Sequence, residues 1–277
     1  MQENNSFISF DNDKTGLIFD DSKHKEYPIR YYNVINGQGV EFQEDCSYYG
    51  FVYDGCMSLM PNAKKSVSEY DVQAGMFFSL NGKAGFDDYY SSGKCVVIEI
   101  LHTKGVYPDT KYKAYFNIGG PLEKSGRLKY IDGCTDSCLI SPIKLGDPCL
   151  NHLHFPSNIT QTQHTHPSHR IGIVSKGEGE CITPFGNLPL TTGMIFVIKE
   201  WDGESYGTGL DGEQHPVGQH SFNTKDNSMD VIAFHPDSDF GATDVLHPMI
   251  NRTYVDGRSV NTITEIMTNE DQFNNQD

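Results

Sequence analysis

Gln163-His164-Thr165-His166-Pro167-Ser168-His169-Arg170-Ile171-Gly172-Ile173-Val174-Ser175-Lys176-Gly177-Glu178-Gly179 is the stretch on which the reading of this 277-residue chain turns. His164 and His166 are two apart. In an extended strand residues i and i+2 face the same way, so both imidazoles aim at one point. Imidazole is the commonest metal-binding side chain and suits zinc, copper, iron and nickel. Beyond Arg170 the run turns apolar and β-branched and ends at Gly177-Glu178-Gly179, which reads as strand, short turn, strand, tight turn.

Outward from this stretch the pattern is β almost throughout. Turn residues recur at short intervals between aromatic and β-branched runs, the pattern of a sandwich or barrel. In the second half, strands are expected over 150–155, 160–166, 170–175, 180–184, 193–198, 220–223 and 229–235. In the first half they are expected over 28–35, 38–43, 48–53, 56–60, 67–72 and 94–101. A single amphipathic helix is expected, at 264–273. Ala74-Gly75-Met76-Phe77-Phe78-Ser79-Leu80 echoes Thr192-Gly193-Met194-Ile195-Phe196-Val197-Ile198, and each run precedes a loop and a terminal strand. The echo predicts a duplicated fold. The expected organisation is a polar arm at 1–25, a first lobe at 26–102, a connector at 103–149, a second lobe at 150–267 and a frayed tail at 268–277.

Charge narrows the function. Lys and Arg number 21 against 37 Asp and Glu, a net −16, with no basic run. Nucleic-acid phosphates and anionic membrane surfaces are therefore disfavoured as partners. No apolar run reaches the length of a membrane span, and Met1–Ser6 lacks the basic start and apolar core of a signal peptide. A cytoplasmic protein is expected. The seven cysteines are an odd set without a repeated Cys-x-x-Cys pair, and they read as reduced thiols, several of them buried. A zinc site built on Cys134 and Cys138 is a weaker alternative.

With these residues in view, the second half resembles a cupin, the small double-stranded β-helix (jelly-roll) barrel. That family's first motif runs Gly, five residues, His-x-His, three or four residues, Glu, six residues, Gly. Here Asn158 stands at the Gly, five residues precede His164-Thr165-His166, Arg170 replaces the Glu, and Gly177 follows six residues later. Gly193-Met-Ile-Phe-Val-Ile198, separated from Gly177 by fifteen residues, resembles the second motif, followed by an insertion over 199–219 and then His220-Ser221-Phe222. The first half has no His between 25 and 101, so it resembles a degenerate cupin lobe without His ligands. The whole is similar in arrangement to bicupins such as the gentisate- and salicylate-type ring-cleaving dioxygenases. The resemblance implies an all-β bicupin with one live lobe and a three-His iron site lacking the carboxylate ligand.

Each candidate residue carries two readings. His164 and His166 are metal ligands or a solvated His-rich turn, and the spacing favours ligands. His220 is the preferred third ligand because Ser-Phe-Asn and a strand follow it; His215 is the alternative. Arg170 cannot ligate, since a guanidinium offers no lone pair. It either anchors the carboxylate of a substrate beside the metal or braces the barrel against an acidic residue. Gly172, on the same face, would leave room for a ligand. Trp201, the only Trp, is placed on a lid over the mouth as a substrate-binding residue. His152 and His154 are a strand pair in the barrel wall or pocket-lining residues, His154 being the substrate-binding candidate, and His169 points away from the pair to a surface or mouth position. His235, His247 and Arg252 either close the pocket or cap the barrel.

Three functions compete. The first is an Fe(II) dioxygenase acting on O2 and a small carboxylate-bearing substrate, aliphatic or aromatic, with Arg170 as its carboxylate anchor. The second is a metal-assisted isomerase or lyase acting on a sugar or keto acid, with Zn, Mn or Ni in place of iron. The third is a non-catalytic ligand-binding cupin. Exposed edge strands leave a homodimer open.

Overall fold

The computed structural model describes residues 1–61, 69–101, 112–144 and 146–238, and two short strands, Tyr254–Val255 and Arg258–Ser259, that pair with each other. The expected helix at 264–273, the frayed tail, His247 and Arg252 lie outside the described residues. Residues 1–238 form one compact unit. Among its described residues the chain is all β apart from a single 3-10 turn at Ile131–Gly133. In chain order its strands are β1 (Gln2–Glu3), β2 (Phe7–Phe10), β3 (Gly16–Asp21), β4 (Ile29–Ile35), β5 (Ser47–Pro61), β6 (Tyr70–Gln73), β7 (Phe77–Asn81), β8 (Ala84–Phe86), β9 (Ser92–Ile100) and β10 (Asn117–Gly119). They continue as β11 (Leu128–Lys129), β12 (Thr135–Ile140), β13 (Cys149–Phe155), β14 (Arg170–Ile182), β15 (Leu188–Thr191), β16 (Ile195–Ile198), β17 (Tyr206–Thr208), β18 (Gln214–Pro216), β19 (Ser221–Asn223) and β20 (Met229–His235).

Two sheets of the same topology result. One runs β10-β7-β5-β9-β4-β3; the other runs β2-β16-β14-β20-β13-β12, with β1 and β11 at its ends. The duplication reaches atomic detail. Both long strands bulge at the same place, between Val52 and Asp54 in β5 and between Val174 and Lys176 in β14. The Gly75 amide donates to the Val52 carbonyl at 2.8 Å, and the Gly193 amide to the Val174 carbonyl at 2.7 Å. Gly177, expected in a tight turn, instead lies inside the bent β14. Its φ is +77°, and an added Cβ would meet the Ser228 carbonyl at 1.9 Å. Gly55 does the same work in β5, at φ +66°. The single strands at 47–61 and 170–182 therefore replace the four shorter ones expected there, because a bulge bends a strand without ending it.

The alternation of β5 and β14 divides three cores. Tyr48 and Val52 face into the first barrel with Phe42, Phe78, Phe86 and Val97. Val174 faces into the second with Phe155, Phe196, Phe222 and Val231. The opposite faces meet each other: Tyr49 and Phe51 pack with Ile171, Ile173 and Phe234 in a core shared by both lobes. Each barrel also leaves space beside its long strand for a phenyl ring. Gly50 pairs with Phe78, and a Cβ on it would lie 2.1 Å from the ring; Gly172 pairs with Phe196, and its Cβ would lie 2.5 Å away. The absent side chain at Gly172 thus admits Phe196 and not a ligand. Gly50→Ala and Gly172→Ala should each cost about 1–3 kcal/mol through overpacking. Urea unfolding checks this, and neutral alanines would refute the packing role.

The segments expected as an arm and a connector are structural. β2 pairs with β16 of the second lobe, whereas β3 pairs with β4 of the first. β10, from the supposed connector, pairs with β7 of the first lobe, and β12 pairs with β13 of the second. By position in the sheets β2 corresponds to β10, so each half lends its first strand to the other lobe.

Candidate metal centre

The three expected histidines are brought together at the mouth of the second barrel. His164 and His220 form an isolated antiparallel bridge and exchange both backbone hydrogen bonds, at 2.9 and 3.0 Å. Directly opposed residues in such a pair present their side chains on one face. The two ring centroids are 4.6 Å apart, and the His166 ring lies 4.9 Å from His164 and 5.2 Å from His220. One nitrogen from each of the three rings lies within 4.8 Å of the others. The insertion secures His166, with the Trp201 amide donating to the His166 carbonyl at 2.9 Å.

Hydrogen bonding sets the tautomers. His164 Nδ1 lies 2.8 Å from the Thr162 carbonyl, and His220 Nδ1 lies 2.8 Å from the Gly218 carbonyl. A carbonyl only accepts, so both Nδ1 atoms carry the hydrogen and both Nε2 atoms present a lone pair. Burial, reinforced by His164, pushes His220 down to about 3. Burial, then Arg170 and the neighbouring rings, pushes His166 far below the usual histidine range. Neutral imidazole is the ligating form. At least two lone pairs therefore converge with no donor between them, an arrangement that a cation satisfies. The all-nitrogen donor set suits Fe(II), Zn, Mn or Ni without choosing among them.

Beneath the rings lies a cavity of about 30 Å³, apolar except for Gln161, Tyr130, Arg170 and His235 beside the three histidines. Arg170 stands at the position where the cupin motif that this stretch resembles has a Glu. Its Nη1 donates to Asp237 Oδ1 at 3.0 Å and to the Ser168 carbonyl at 3.2 Å, and it also contacts Ser168 Oγ. Ser168 Oγ in turn donates to Asp237. The brace to an acidic residue is thus present, but only along one edge of the guanidinium. Arg170 Nε is buried and has no partner.

Other expected site residues fall elsewhere. His215 sits on the β17–β18 hairpin, with Nε2 2.9 Å from Asp211, and does not join the cluster. His154 and His152 both bind Asp230 Oδ1, at 2.8 and 2.9 Å. They face away from the cavity because Leu153 and Phe155, their neighbours on β13, line it. The Trp201 indole bonds the Ser205 carbonyl at 3.1 Å and stacks edge-on with Tyr206, so it is not a cavity residue. His169 is buried, not at the surface, and lies 3.2 Å from Asp21. Asp21, His24 and His169 make a second cluster. There the His24 Nδ1 accepts the Glu26 and Tyr27 amides, so its Nε2 carries the hydrogen and donates to Glu200 at 3.0 Å. That cluster is paired only in part, since His169 Nε2 is buried and has no partner. Sequence reasoning missed it because Asp21 and His24 lay in the supposed arm.

No protein-family model matches this sequence, and no curated protein matches it. Solved structures do. Ylba from E. coli is similar with a TM-score of 0.56 at 10% identity, covering 88% of this chain and 96% of that one. The putative glyoxylate induced protein from Pseudomonas aeruginosa gives 0.55 at 10% identity, covering 87% and 83%. Salicylate 1,2-dioxygenase from Pseudaminobacter salicylatoxidans gives 0.52 at 9% identity, covering 80% and 76%. At these identities the likeness is one of fold. The chain is a two-lobed cupin-fold protein with a candidate three-His metal centre in its second lobe.

Proposed function

We propose that this chain is a metal-dependent cupin enzyme, an Fe(II) dioxygenase acting on a small carboxylate-bearing substrate. The observation that carries the reading is the convergence of His164, His166 and His220 beside an arginine with one unpaired edge. Bound to the three rings, iron would supply Lewis acidity and one-electron chemistry, with positions left for substrate and O2. The chain's own residues do the rest. The carbonyls of Thr162 and Gly218 aim two rings inward, and the phenyl groups of Phe155, Phe196 and Phe222 keep the interior dry. Asp237 and Ser168 hold the guanidinium so that its Nε edge can take a substrate carboxylate. That salicylate 1,2-dioxygenase shares the fold supports the reading as an analogy. The enzyme is placed in the cytoplasm, acting on small molecules and not on nucleic acid or a membrane surface.

The three-imidazole set favours no metal, so a second reading stands: a Zn, Mn or Ni isomerase or lyase acting on a sugar or keto acid. Anaerobic purification, metal assay and O2 uptake with a panel of aliphatic and aromatic carboxylates separate the two. Iron with substrate-dependent uptake is the expected result. Tight Zn, Mn or Ni without uptake would overturn the oxygenase, and a metal-free protein would make the chain a ligand-binding cupin. Arg170→Leu should raise the KM for the active carboxylate about 10- to 100-fold, the worth of a charged hydrogen bond, at unchanged metal content. Loss of metal instead would make the guanidinium purely a brace.

A further inference from the structure

We infer that His235 joins Arg170 in an anion subsite inside the second barrel, a pair of donors that takes the carboxylate of a small organic acid. The inference rests on the reading of the second lobe as a substrate-binding metal site, and it assigns a role to a residue for which that reading has none.

The two residues are neighbours by register. Ile171 of β14 pairs with Phe234 of β20, and Arg170 and His235 lie one step further along each strand. Both line the cavity beneath the three imidazoles. Arg170 Nε has no acceptor, and the His235 ring has no hydrogen-bond partner among the described residues. Two polar groups facing an apolar cavity without partners are costly unless a ligand pairs with them.

The first lobe shows how the fold closes the same place when nothing binds there. By the shared register Tyr48 corresponds to Arg170 and Glu99 to His235, and Tyr48 pairs with Glu99. Glu99 is wholly buried. It accepts the Tyr48 hydroxyl at 2.7 Å, Arg30 at 2.8 Å and the Tyr32 hydroxyl at 3.3 Å. The acceptor there is built into the chain, and every donor is turned onto it. In the second lobe the same two places hold a guanidinium and an imidazole, and no carboxylate stands between them. Asp237 takes Arg170 Nη1, and the buried Nε is left without an acceptor. The missing partner is an acceptor with two oxygens. The cavity is small, about 30 Å³, and Arg170 and His235 are among its few polar lining residues. Small organic acids fit this description, and their carboxylate would be oriented by both side chains.

Isothermal titration with acetate tests this on metal-loaded protein and on the same protein after chelation, with acetamide as the neutral analogue. Acetate should bind and acetamide should not. His235→Phe should weaken acetate about tenfold or more at unchanged metal content. His235→Gln, which keeps an N–H donor, should stay within about threefold of wild type. Equal acetate affinity in wild type and His235→Phe would overturn the subsite, as would a wild type that ignores acetate, or that takes acetamide equally well. If His235→Phe does not fold, His235→Gln compared with His235→Ala decides the same point. The two readings fail separately. A chain without metal that still binds acetate through His235 loses the metal centre and keeps the subsite. A metal-loaded chain indifferent to His235 loses the subsite and keeps the metal centre.

Discussion

His220→Ala should drop metal content from about one per chain to below about a tenth, with the barrel still folded. Loss of an outer hydrogen-bond partner alone costs 10- to 100-fold in metal affinity, and loss of one of three donors should exceed about 100-fold. His220 is 1% exposed, and its ring is preset by the Gly218 carbonyl, so no other donor can swing into its place. The bridge to His164 is made by backbone atoms and survives the substitution. The control is His215→Ala, whose ring is occupied by Asp211 on the hairpin and whose loss should leave metal content unchanged. Dialysis followed by elemental analysis reads the outcome, and the reverse pattern would reassign the third ligand. A second readout is thermal. A ligand at a hundred times its Kd stabilises by about 2.7 kcal/mol, so a chelator should lower the melting temperature of wild type and leave that of His220→Ala unmoved.

Phe7→Ala should destabilise the protein by about 3–5 kcal/mol, the cost of removing a buried phenyl ring. On a free polar arm the same change would stay within about 0.5 kcal/mol. Phe7 is 3% exposed, pairs with Ile198 across β2 and β16, and packs in the core of the second barrel. Its removal should loosen the lobe that carries the three-His cluster, although the residue lies more than a hundred positions away in the chain. Urea unfolding measures the effect. Deleting residues 1–11 should go further, because β16 then becomes an unpaired edge prone to association. A light-scattering increase at unchanged secondary structure is the expected signature. A truncated chain as stable and monomeric as the full one would refute the strand exchange.

Much of the fold was legible locally. The strands at 28–35, 94–101 and 229–235 are close to β4, β9 and β20 because compact apolar runs bounded by turn residues leave few alternatives. The seven-residue echo at 74–80 and 192–198 marks β7 and β16 together with the turns before them, where Gly75 and Gly193 both take positive φ. The His164-x-His166 spacing placed two rings together by the two-residue period of extended chain. The run 160–166, expected as a strand, is extended chain with only isolated bridges, at Thr160 and His164.

Alternation reveals which residues share a face, not which face is inside. For that reason the sequence leaves His152 and His154 between barrel wall and pocket, whereas the fold turns both onto Asp230. The Gly-rich end of the opening stretch resembled a turn, yet a glycine at positive φ also bends a continuous strand, and only the partner strand distinguishes the two. His215 and His220 are five apart, and the bridge to His164 selects the second. The sequence by itself determined the class of fold, its duplication and the pair of histidines at its mouth, because these follow from periods of two and from spacing along the chain. Only the tertiary structure decided which histidine joins His164 and His166, the paired edge of Arg170 and the exchanged strands β2 and β10. Each of these depends on pairing between segments far apart in the chain, and such pairing leaves no mark on the residues that flank either partner.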